Sequence, residues 1–229
     1  MKKYFSFVSL LVMLSSSVFA DPGIQIGATR LVYNESDNQT SVDINNTDNK
    51  PYLIQSWLTN INGDEHVSNN NFVTTPPLFK LEGSSSNSVR IVQTGNSLPT
   101  DRETALWLNV KAIPSQEKTE NNTLTIAIKT KIKVFYRPEK LKNLKNDAWN
   151  KISFREKNGK LNIVNPTPFN ISFNTVKVNN VEIPDMIMVE PFSEKVIDKN
   201  IKVGQAVSWD VINDYGGITE EKTVKIENK

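Results

Sequence analysis

The chain contains no cysteine and a single histidine. The first absence excludes disulfides and thiol chemistry, so stability has to come from packing. The second leaves no cluster from which a zinc site or a Ser/His triad could be built. His66 stands in the polar stretch Asn60-Ile61-Asn62-Gly63-Asp64-Glu65-His66, where a lone imidazole reads as a solvated loop residue. Charge of either sign is also scarce in excess: 27 Lys and Arg against 25 Asp and Glu give a formal net charge of +2. That is too little to suggest nucleic acid as a partner. No calcium-loop spacing occurs among the Asp and Asn residues, and long apolar runs are absent except at the start. No metal, cofactor or small-molecule substrate is expected, and an enzyme is disfavoured.

The exception at the start has a recognisable form. Lys2 and Lys3 precede an apolar run from Phe5 to Met13, then Ser15 to Val18, then Val18-Phe19-Ala20. This is a secretory pattern, and its apolar core is too short to span a bilayer. Residues 1–20 read as a signal peptide, leaving an exported, soluble chain that begins at Asp21.

Beyond it, strand signals dominate. Short runs of alternating apolar and polar residues are separated by Asn, Asp, Gly or Pro. Examples are Ser41–Asn45, Tyr52–Leu58, Ser88–Val92 and Ala105–Val110. The longest candidate runs from Leu124 to Arg137 and is ended by Pro138. Residues 139–146 are polar and lysine-rich, with Leu141 and Leu144 as their only apolar members, and read as a linker. The β pattern then resumes. Lys157-Asn158-Gly159-Lys160 predicts a hairpin, because a type I′ turn needs positive φ at both central positions. No segment keeps a helical period. The expectation is an all-β protein with an N-terminal domain over 21–138 and a smaller C-terminal domain over 147–229.

Several segments, in order, resemble the periplasmic chaperones of the chaperone–usher pilus pathway. They are Thr29–Tyr33, Thr75-Pro76-Pro77, Leu98–Thr104 with Trp107–Val110 and Ile113-Pro114-Ser115, Thr130–Pro138, Asn165–Phe169, and Ile212–Gly217. They cover nearly the whole exported chain. The resemblance implies two immunoglobulin-like β-sandwich domains in an L or boomerang arrangement. It implies a periplasmic chaperone that binds, stabilises and caps pilus subunits by donor-strand complementation, then delivers them to an outer-membrane usher. It also implies a cis bond at Thr75-Pro76.

Site residues follow from the same resemblance. Arg30 and Lys133 match two basic cleft residues that anchor the subunit's C-terminal carboxylate. The strand beginning near Leu124 would be the donated one, with Leu124, Ile126 and Ile128 on one face filling the subunit's groove. Glu103, Arg137 and Asp214 match a charge cluster at the domain interface that would fix the angle between domains. On pattern alone, the strand is an ordinary core strand, and Arg30 and Lys133 are solvated charges. Alternation also puts Lys129, Lys131 and Lys133 opposite the three aliphatics, so either a bulge re-aims the chain or the ligand meets both faces. The short polar loop from Pro114 to Asn122 implies the short-loop subclass serving rod-like, adhesin-tipped pili. Two departures are the leucines Leu106 and Leu108 where aromatics are common, and a C-terminal domain without a disulfide. The rivals are a pilus subunit, a secreted carbohydrate-binding or receptor-like immunoglobulin protein, and an exported hydrolase. A free protein with an uncovered aliphatic edge would also be expected to cap itself as a homodimer.

Overall fold

The computed structural model describes residues 23–95, 98–116, 124–144 and 147–226. The expected signal peptide, most of the loop from Pro114 to Asn122 and the last two residues of the 139–146 segment lie outside the described residues.

Nine strands form the first half: β1 (Ile24–Ile26), β2 (Arg30–Asn34), β3 (Thr40–Asn46), β4 (Tyr52–Asn60), β5 (Phe72–Thr75), β6 (Leu78–Leu81), β7 (Ser85–Gln93), β8 (Thr104–Pro114) and β9 (Ile128–Arg137). They make two sheets, ordered β1-β3-β7-β5 and β2-β9-β8-β4-β6. Alternation sends Val42, Ile44, Val89 and Ile91 of the first sheet into one buried cluster with Ile54, Leu58, Leu106, Leu108, Ile132 and Val134 of the second. Two sheets sharing one core are a sandwich. Leu106 and Leu108, the departures from the aromatic pattern, are both wholly buried in it. The Thr75-Pro76 bond is cis.

Eight strands form the second half: β10 (Ser153–Lys157), β11 (Lys160–Asn165), β12 (Ile171–Val178), β13 (Val181–Glu182), β14 (Met188–Val189), β15 (Ser193–Asn200), β16 (Ala206–Val211) and β17 (Lys222–Lys225). One sheet runs β10-β11-β15 and the other β13-β12-β16-β17, with β14 paired to β12. Phe154, Leu161, Ile163 and Ile197 face Phe173, Val176, Val207 and Trp209 across a second, separate core. The expected hairpin joins β10 to β11, with Asn158 at φ 53° and Gly159 at φ 78°. The only helices among the described residues are two 3-10 turns, Glu139–Leu141 and Ala148–Lys151. The first falls in the segment read as a linker, and its Leu141 is buried in the second core.

One strand differs from its sequence reading. β9 begins at Ile128, not near Leu124, so β8 rather than β9 is the longest strand. The reason is the partner. β9 pairs with β8 antiparallel only as far as Ala112↔Ile128, and two residues further on β8 offers Pro114, which has no N–H to donate. Leu124–Ala127 therefore runs on past the sheet without a ladder.

Candidate functional site

The site forms where β9 changes from an edge to a central strand. On its other side β9 is joined by β2, parallel, but only from Arg30↔Lys133 onward. Among the described residues, Ile128 to Ile132 are thus paired on one side alone, and their outward backbone groups form a free edge. At the foot of that edge the register sets Arg30 directly beside Lys133 on the same face.

Both cations lie deeper than surface charges do. Arg30 is 9% exposed. Its Nη1 donates to the Ile212 carbonyl at 3.0 Å, which ties it to the second domain. Its guanidinium lies 5.7 Å from the Phe135 ring centre. Its Nε is buried and has no partner among the described residues. Burial lowers its pKa from the usual arginine value, partly offset by Asp214. Lys133 donates from Nζ to Ser172 Oγ at 3.2 Å and sits 5.8 Å from the centre of the Trp107 ring. Burial, then the like charges of Arg30 and Lys195, bring its ammonium down to about 8. The two residues share a cleft of about 950 Å³ with Ile61, Trp107, Met186 and Met188. Its walls are mixed, with the carboxylates Glu190 and Glu194 also in the lining, and cations outnumber anions there: Arg30, Lys131, Lys133 and Lys195 against those two.

Simple alternation along β9 holds, since its pairing with β8 has no register shift. No bulge re-aims the chain between Ile128 and Arg137. Ile132, Val134 and Tyr136 face the core, and the lysines face the opposite way. Leu124, Ile126 and Ile128 continue the core-facing row past the end of the sandwich. They are 87%, 67% and 65% exposed. The reading of this stretch from pattern alone as a strand packed on its own core is therefore incorrect: the ladder ends at Ile128, and among the described residues nothing covers these side chains.

The structure brings Glu103, Arg137 and Asp214 together. Arg137 Nε donates to Glu103 Oε1 and Nη2 to Asp214 Oδ2, each at 2.8 Å. Burial opposes the Arg137 charge, but Glu103 and Asp214 outweigh it and hold the pKa above the usual arginine value. Glu103 Oε2 accepts from the Asn170 backbone N–H at 2.9 Å, and the Glu103 N–H donates to Pro168 O at 2.9 Å. The cluster thus bonds the first sandwich to the segment 168–170 and to residue 214 of the second.

Other partners were not visible in the sequence. Ser172, Trp107 and the Ile212 carbonyl hold the cleft cations, and nothing but the fold juxtaposes them. Glu65, in the polar stretch beside His66, accepts from Lys129 Nζ at 2.8 Å and Lys131 Nζ at 2.6 Å. Those two hydrogen-bonded lysines hold its carboxyl at about 2. Among the described residues no group of His, Asp and Glu could hold a metal, and no helix is long and apolar enough to cross a membrane.

Comparison with known proteins places this geometry. Residues 23–142 match the family described as pili and flagellar-assembly chaperone, PapD N-terminal domain, and residues 147–223 match the pili assembly chaperone PapD, C-terminal domain. The chain is 37% identical over 212 residues to the chaperone protein FimC of Escherichia coli K12, covering 91% of this chain and 86% of that one. Its fold is similar to the periplasmic chaperone SfaE, with a TM-score of 0.75 and 35% identity, covering 88% of this chain and 98% of the other. It is also similar to a chain of the Salmonella enterica complex of the SafA pilin with the SafB chaperone. There the TM-score is 0.81 at 30% identity, covering 91% and 98%. Two successive domain models in the right order, together with this identity along nearly the whole chain, show that the protein belongs to the PapD-like family of pilus assembly chaperones.

Proposed function

We propose that the protein works in the periplasm, where it binds pilus subunits, caps their incomplete sandwiches with the strand led by Leu124, Ile126 and Ile128, and passes them to an outer-membrane usher. The observation that carries this reading is the free edge of β9 ending at the Arg30–Lys133 pair. A strand docked along that edge would have its backbone groups satisfied by Ile128 to Ile132, and its terminal carboxylate would meet two cations. Charge-assisted hydrogen bonds from the Arg30 and Lys133 side chains, which line the cleft, favour a carboxylate arriving there. The exposed aliphatics would fill the subunit's groove, each contributing roughly 1.5–3 kcal/mol. The Glu103–Arg137–Asp214 cluster would keep the two sandwiches at a fixed angle. The shortness of the Pro114–Asn122 segment in the sequence supports the short-loop subclass, and the reading divides the chain into domains over 21–138 and 147–229.

Co-expression with the pilins encoded beside its gene tests the reading. A soluble complex from the periplasm, lost with Arg30→Ala and with Lys133→Ala, is expected. A folded protein that retains no pilin contradicts it.

The exposure of Leu124, Ile126 and Ile128 also favours a self-capped homodimer of the free protein. Sedimentation should show dissociation when a subunit is added, and a monomer at all concentrations would rule the dimer out.

A further inference from the structure

Three lysines follow one another along the same face of β9: Lys129, Lys131 and Lys133. A docked strand cannot slip by one residue, because every side chain would turn to the wrong face. A slip of two residues keeps the faces correct and moves the strand by about 6–7 Å. In that slipped register a terminal carboxylate would leave Lys133 and arrive at Lys131, and a further slip would bring it to Lys129. Alternation therefore does not fix the register, and bare lysines at all three positions would offer three anchors.

Only one of the three is left available. Glu65 Oε2 accepts from both Lys129 and Lys131, at 2.8 and 2.6 Å. The backbone of Glu65 is itself fixed, since Trp57 Nε1 donates to its carbonyl at 3.2 Å. His66 Nε2 lies 3.7 Å from its other carboxylate oxygen. Lys133 is out of its reach and bonds Ser172 instead. Lys131 lines the same cleft as Arg30 and Lys133, so a carboxylate entering that cleft would encounter it.

We propose that Glu65 is a positioning residue for subunit capture: by engaging the ammonium groups of Lys129 and Lys131 on one carboxylate it makes them weaker anchors than the Arg30–Lys133 pair and so sets the register of the docked strand. The inference rests on the donor-strand reading above. It names a loop residue that touches no part of the docked strand's apolar row and acts only through the two lysines.

The test uses the full chain and a synthetic peptide of alternating Val and Thr that has a free terminal carboxylate and one benzophenone at a fixed position. Photocrosslinking followed by mass spectrometry reads the attachment point along β9. The native protein should give one attachment point. Glu65→Gln should add a second, displaced two residues toward Ile128. Glu65→Gln combined with Lys129→Gln and Lys131→Gln should restore the single point, which a merely structural role for Glu65 would not do. A single unshifted point in Glu65→Gln overturns the register claim and leaves the anchor standing. No specific crosslink to the native protein overturns the donor-strand reading, and the register claim with it.

Discussion

Lys133 sits between the Trp107 ring and the Ser172 hydroxyl, with Arg30 and Lys195 as its charged neighbours. Those surroundings suit a bound carboxylate and work against the charged lysine when the cleft is empty. Two predictions follow at this scale. In the free protein the ammonium titrates at about 8, so subunit affinity should fall by up to about tenfold between pH 7 and pH 9. Titration calorimetry at the two pH values checks this. Stability moves the other way. A folded pKa below the usual lysine value of 10.5 means that the unfolded chain binds more protons between about 8 and 10.5. The contribution of this group to stability therefore rises with pH across that window and is unfavourable below it. Lys133→Met should accordingly leave the free protein as stable or about 1 kcal/mol more stable at pH 7, after allowance for solvent screening. The same variant should lose the subunit. A urea titration beside a binding assay separates the two effects. Composition could not reveal this pairing of opposite demands. A lysine and an arginine 103 positions apart in the sequence read as two solvated charges, and burial became visible only with the parallel register of β2 on β9.

β9 shows which structural features can be read at the scale of an element. Its alternation is plain in the residues, and so are its end at Pro138 and the row of Leu124, Ile126 and Ile128. Where the ladder starts is not, because that depends on where β8 runs out of partners, at Ala112 and Pro114. The same reasoning explains Glu65. Its lysines lie more than sixty positions away, and a polar loop carries no local signal of what it will rest on. Hairpin chemistry is local, so Asn158-Gly159 appears in the sequence as it does in the fold. The uncovered row makes a sharp prediction. Changing Leu124, Ile126 or Ile128 to Ser should alter the stability of the free protein by less than about 0.5 kcal/mol, as for exposed sites. Each change should weaken subunit binding by roughly 1.5–3 kcal/mol, or about ten- to 150-fold. Thermal unfolding and affinity measured on the same variants check both halves. Ile132→Ser, in the core of the same strand, should reverse the pattern and unfold the domain.

The whole molecule consists of two sandwiches with separate cores, and buried polar contacts help to join them. Glu103 is 3% exposed and Arg137 6% exposed, and they hold each other, Asp214 and the Asn170 N–H across the junction. Removing one member leaves a buried charge uncompensated. Arg137→Ala should therefore cost about 3–5 kcal/mol and split a single unfolding transition into two, as seen by differential scanning calorimetry. Glu103→Gln, which keeps the shape and the Asn170 contact, should cost less. The two-domain division and this trio were readable through ordered motifs spread along the chain. The tie from Arg30 to Ile212 O, which links the anchor to the second domain, was not, because it depends on a backbone carbonyl. It also means that the angle between the sandwiches and the shape of the cleft are not independent. Any change that loosens the Arg137 cluster should weaken subunit binding too.

In the proposed complex a strand docks along β9 with its terminal carboxylate held by Arg30 and Lys133. The most direct measurement compares a subunit's C-terminal peptide as the free acid and as the amide, binding to the native protein and to the Arg30→Met, Lys133→Met double variant. Hydrogen bonds to a charged group contribute about 1.5–3 kcal/mol, so the native protein should prefer the acid by roughly ten- to 150-fold. The double variant should bind acid and amide alike, at the weak level of the amide on the native protein. Equal binding of acid and amide by the native protein, or an acid preference that survives in the double variant, would contradict the anchor.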